Sequence, residues 1–118
     1  MRTALARTGD VVTSDLTLVE CSRALIRAQS SLGVPGPEIA RRRAWLDSTV
    51  DHWSVLRMTR EIVARARRPF PAEPIRALDA LHLATALVAA ETSNDFSVLS
   101  LDRRVRASAR GLGLTIAP

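Results

Sequence analysis

Four short runs of β-branched and apolar residues, VVTS (11–14), WSVLRM (53–58), FSVLSL (96–101) and LTIA (114–117), are separated by longer stretches with the character of helices. Nothing else in the chain constrains its fold as much. Strands separated by helices are not joined by tight hairpins; each crossover carries the chain back so that the next strand runs parallel, and the helices cover the sheet. The predicted fold class is therefore α/β, a sandwich around a mostly parallel sheet. At 118 residues the chain reads as a single domain, 1–118, long enough for a core and too short for two.

Punctuation between the strands supports the helices. Ser14 or Asp15 is placed to cap a helix running through LTLVECSRALIRAQSSL to Gly33, with Leu18, Cys21, Leu25 and Leu32 on one face and Val19 and Ile26 beside them. GVPGP is a turn, and Pro37 suits the first turn of a helix over 37–50. Thr59 can cap REIVARARR (60–68), which the proline-rich PFPAEP must break. IRALDALHLATAL falls in a helix over 76–91, and DRRVRASARGLG in one closed by Gly111 or Gly113. Residues 2–8 read as the tail of an earlier helix ended by Gly9. A parallel sheet normally opens with a strand, so the expectation is that a segment is missing before Met1.

Composition excludes several classes. No apolar run approaches the roughly 18 residues that cross a bilayer, and MRTALARTGD lacks the apolar stretch of a signal peptide, so no membrane partner is expected. A single cysteine, Cys21, leaves no internal disulfide framework and makes the cytoplasm the expected compartment. The net charge of +5 favours a polyanionic partner. All 17 basic residues are arginine, which a GC-rich coding sequence also produces, so this counts little towards phosphate binding. Aromatic residues are 3% of the chain, too few for a base-stacking surface; any nucleic-acid contact would rest on backbone charge. The runs RRR (41–43) and RARR (65–68) read as solvated helix faces.

Chemistry-bearing motifs are few. There is no GxSxG elbow, P-loop or GxGxxG, and His52, His82 and Cys21 stand singly without zinc-ligand spacing. Three of the twelve acids fall in unusual places: Glu20 beside an apolar helix stripe, Asp79 at the start of an apolar helix, and Asp102 at the C-terminal end of a strand. Ligands of open α/β sheets gather outside the carboxyl ends of strands. Carboxylates converging there repel unless a hard cation sits among them, and Mg²⁺ or Mn²⁺ accepts such oxygen ligands. Each acid also has a plainer reading. Asp79 and Asp102 can cap helices, and Glu20 can be a helix acid paired with Arg23 or Arg27. His82, three residues after Asp79, fits a supporting role on the same face, and Cys21 a small core residue.

Taken together, VVTSDLTLVECSRAL, IRALDALHLATAL and VLSLDRRVRASARGLGLTI resemble, in this order, the segments of PIN-domain ribonucleases, most closely the VapC-type toxins of type II toxin–antitoxin systems. DALHLATA is the most specific of the three. The resemblance implies a PIN-like three-layer α/β/α sandwich and Mg²⁺- or Mn²⁺-dependent endonucleolytic cleavage of RNA. It further implies metal-site acids at Glu20, Asp79 and Asp102, a hydroxyl at Ser100, neutralisation by a VapB-like antitoxin, and homodimers. Arg103 and Arg104 are placed by position to hold the RNA backbone. The family's opening strand, ending in Asp–Thr/Ser–Ser, has no counterpart in this sequence; Asp10 and Asp15 do not replace its aspartate. The alternative is a non-catalytic PIN-like module that binds an antitoxin or RNA.

Overall fold

The computed structural model describes residues 10–93 and 95–117, which fall into two compact units, 10–56 and 57–117. In the first, β1 (Val12–Ser14) leads into α1 (Asp15–Leu32), then α2 (Gly36–Val50) and β2 (Ser54–Leu56). The two strands pair in parallel, Thr13 opposite Val55, with the helical pair as the crossover. Gly33 ends α1 with a φ of 68°, a left-handed turn that a residue with a Cβ adopts at a cost. Ser14 holds the N-cap position of α1, yet neither its side chain nor that of Asp15 makes the expected cap bond; the Ser14 hydroxyl is buried. Pro37 lies in the first turn of α2, as its fixed φ and missing N–H favour. The α1 stripe is only partly covered. Leu18, Cys21 and Leu25 are half-buried, whereas Val19 and Leu32 are exposed, correcting the expected packing face.

The second unit carries α3 (Arg60–Ala66), α4 (Ala77–Ala90), β3 (Ser97–Val98), α5 (Arg103–Gly111) and β4 (Thr115–Ile116). Here too the strands pair in parallel, Ser97 opposite Thr115 and Val98 opposite Ile116. The alternation thus produces parallel strands throughout, in two separate pairs. The Thr59 hydroxyl accepts from the Ile62 N–H at 3.3 Å and caps α3 as expected. That helix stops at Ala66, before the chain reaches Pro69. The Arg65 guanidinium then lies 4.3 Å from the Phe70 ring centroid and donates to the carbonyls of Arg68 and Pro69. One member of the RARR run is therefore structural, folding over the chain reversal rather than standing in solvent.

A core of Phe70, Ala80, Leu83, Val105 and Ala109 joins the PFPAEP loop to α4 and α5. Small residues on these helices let them approach closely. Leu83 anchors α4, because Ala80, Leu83 and Ala84 share the face that turns inward while Leu78 is half-exposed. The loop is fixed at both ends by Glu73, whose carboxylate accepts from the Phe70 and Ile75 N–H groups at 2.8 and 2.6 Å. The Ala72 N–H donates to the buried Ser108 hydroxyl of α5 at 3.0 Å. Gly111 has no room for a side chain: a Cβ there would stand 2.5 Å from the Pro71 Cβ. Among the described residues no helix is long and apolar enough to cross a membrane. The helix expected over residues 2–8 lies outside the described residues.

Candidate functional site

Asp102 occupies the N-cap position of α5, where the strand-to-helix turn after β3 leaves the first helical N–H groups without partners. Its Oδ1 accepts from the N–H of Arg104 at 2.9 Å and of Val105 at 3.0 Å, so the capping role read from the sequence is observed. The turn is held from behind. The Asp102 N–H donates to the Ser100 hydroxyl at 3.1 Å. Arg106 Nη1 donates to the carbonyls of Ser100 and Ala117 at 3.0 and 3.2 Å, tying this turn to the chain leaving β4. The Val105 N–H, then the Arg104 N–H and the positive charges of Arg76 and Arg104, hold the Asp102 carboxyl below its ordinary value, while burial opposes this.

Asp79 lies in the first turn of α4, three residues after the N-cap residue Arg76. It is not the cap itself, which corrects one of its two sequence readings. A carboxylate in this turn still faces the positive end of the helix dipole. Its Oδ2 is 3.3 Å from Arg76 Nε, and Arg76 Nη2 is 4.0 Å from Asp102 Oδ2. One guanidinium therefore faces one oxygen of each acid. This is the central geometric fact of the unit: residues 23 positions apart in sequence present their carboxylates to a single cation.

The remaining candidates are distributed differently. His82 is half-buried on α4, one turn beyond Asp79. Arg103 is exposed at the first position of α5, and Arg104, also exposed, donates from Nη1 to the Pro74 carbonyl at 3.3 Å. Glu20 is half-buried on α1 in the other unit. There Cys21 is half-buried, not a fully buried core residue, and burial, with the charge of Glu20 adding to it, raises its thiol above its ordinary value. Arg76 is not among the residues that the sequence reading selects. Its spacing of three from Asp79, immediately before a helix, is the signal that marks it.

The donor set suits a hard divalent cation. Asp79 and Asp102 offer carboxylate oxygens, and at Asp102 Oδ1 accepts the two cap bonds while Oδ2 lies toward Arg76. Among the described residues no group of three or more His, Cys, Asp or Glu side chains stands ready to hold a metal ion.

The PIN domain family model matches residues 1–111, a stretch that runs through both units. Two curated relatives bear the name Ribonuclease VapC35, from Mycobacterium tuberculosis strains CDC 1551 / Oshkosh and ATCC 25618 / H37Rv. The chain is 34% identical to each over 106 residues, covering 89% of this chain and 70% of the relative. No solved structure matches it.

Proposed function

Because the chain belongs to the PIN-domain family, we propose that it is a VapC-like endoribonuclease toxin whose metal-holding acids include Asp79 and Asp102. The observation that carries the reading is the convergence of these carboxylates, from the starts of two different helices, on one positive group. Mg²⁺ or Mn²⁺ bound by them would polarise a phosphodiester and make water a stronger nucleophile at neutral pH.

The protein's own residues supply order around that chemistry. Ser100 and Arg106 fix the turn that aims Asp102, and the buried Leu83 and Val105 set the helices that carry the two acids. His82, one turn beyond Asp79 on the same helix, takes a supporting role beside it. The exposed Arg103 and Arg104 offer charge to an RNA backbone beside the acids. Glu20 enters the proposal through the family resemblance alone. A VapB-like antitoxin and a homodimer enter the proposal through the family resemblance in the same way, and a cytoplasmic setting through the single cysteine.

Cleavage of a mixed RNA pool with Mg²⁺, with Mn²⁺ and with EDTA tests the reading. The expected result is metal-dependent cleavage that Asp79→Asn and Asp102→Asn abolish and Glu20→Gln reduces. Cleavage that persists in EDTA or in both aspartate variants would overturn it. RNA binding without cleavage in any metal would select the non-catalytic module instead.

A further inference from the structure

Arg76 stands where helix electrostatics disfavour it. The N-terminus of a helix carries a partial positive charge, and a cation at the N-cap position of α4 meets that charge head-on. Its side chain makes no cap bond to repay this. What holds the guanidinium there is the carboxylate of Asp79 at 3.3 Å, reinforced at longer range by that of Asp102 at 4.0 Å. The neighbouring basic groups take other roles. Arg104 donates to the Pro74 carbonyl, and Arg106 to the carbonyls of Ser100 and Ala117.

We infer that Arg76 is an internal counter-ion that competes with the divalent cation for Asp79 and Asp102, and so sets the affinity of the site for metal. The inference rests on the proposed reading of these acids as metal ligands. Two carboxylates carry two negative charges and Arg76 supplies one positive charge, so the pair is only partly neutralised. A divalent ion of smaller radius and double charge neutralises it fully. The Arg76 side chain is 83% exposed and can swing into solvent when displaced. Exposed ion pairs are weak, so the barrier it presents is small and tunable rather than a block. Arg76 is thus a positioning residue: without metal it keeps the carboxylates from pushing apart, and with metal it yields.

Mn²⁺ titration of the folded chain by calorimetry, at one pH and ionic strength, tests this without any measurement of cleavage. Arg76→Gln removes the competing charge and is expected to tighten Mn²⁺ binding about 1.5- to 5-fold, the range spanned by weak exposed pairs. Arg76→Lys keeps a charge but loses the planar fork, and is expected to give an intermediate affinity. In EDTA the melting temperature of Arg76→Gln should fall below that of the wild type, and Mn²⁺ should raise it by more. Unchanged or weaker Mn²⁺ binding in Arg76→Gln, with binding lost in Asp79→Asn and Asp102→Asn, would overturn the role of Arg76 and leave the metal reading standing. Wild-type affinity in both aspartate variants, or no Mn²⁺ uptake by any form, would overturn both. Should Arg76→Gln lose its far-ultraviolet circular dichroism, Arg76→Lys decides alone, tighter binding supporting the inference and unchanged binding overturning it.

Discussion

The two units of this chain solve the problem of a parallel strand pair with helical crossovers to different degrees. In residues 57–117, Ile62, Phe70, Leu83, Ala84, Val105 and Ala109 are all buried, and the hydroxyl of Ser108 is paired. In residues 10–56, Ile39 is the buried aliphatic among the described residues, α1 buries none of its 18 residues fully, and the buried Ser14 hydroxyl meets no hydrogen-bond partner among the described residues. Both units obey the same alternation of strand and helix. What separates them is side-chain size at the contact. Alanines at 80, 84 and 109 admit close helix approach around Leu83, whereas between α1 and α2 an open cleft is lined by Leu18, Ser22, Leu46, Asp47 and Val50. The acids that share a cation, Asp79 and Asp102, sit on the tightly packed unit, where their helices cannot drift.

Core truncation should open the widest gap between the units. Leu83→Ala is expected to cost about 2–5 kcal/mol, while Leu25→Ala on the half-covered α1 should cost about 1 kcal/mol, both read from urea denaturation. Equal costs would show that α1 is as well packed as α4. Next in size, Gly111→Ala forces a Cβ against the Pro71 ring and should cost about 1–3 kcal/mol, whereas Gly36→Ala, whose new Cβ would meet only the Gln29 side chain at 3.6 Å, should cost less. Asp102→Ala should have the smallest effect and the clearest signature. Its carboxyl is held below its ordinary 3.8 in the folded state, so its contribution is present above that value and is lost as the pH falls through the lowered one. The difference in melting temperature between wild type and Asp102→Ala should therefore be present at pH 7 and shrink below about pH 4. A difference independent of pH would mean that the charge of the cap is irrelevant.

Much of the candidate site is legible in the sequence because its local geometry is local chemistry. Asp102 before RRVRAS is a cap by residue type and position, and Thr59 likewise; both bonds are present. Asp79 and Arg76 are separated by three residues at a helix start, which suffices to bring them together. The partnership of Arg76 with Asp102 is not local. It depends on α4 and α5 meeting at Leu83, Val105 and Ala109, a contact between residues more than 20 positions apart. The same limit explains Arg104. By position in the sequence it is placed to hold an RNA backbone, and only the path of the PFPAEP loop places the Pro74 carbonyl beside its guanidinium.

The sequence by itself determined the α/β class, the parallel sense of the strands, the principal helices and the PIN-domain resemblance. Each of these follows from periodicity, caps and short motifs that span a few residues. Only the tertiary structure decided that the strands stand in two pairs, that Leu32 and Val19 lie open while Leu83 is enclosed, and that Arg76 faces both Asp79 and Asp102. Burial and cross-chain pairing are set by which surfaces meet, and a repeating pattern along one helix specifies a face without specifying what covers it.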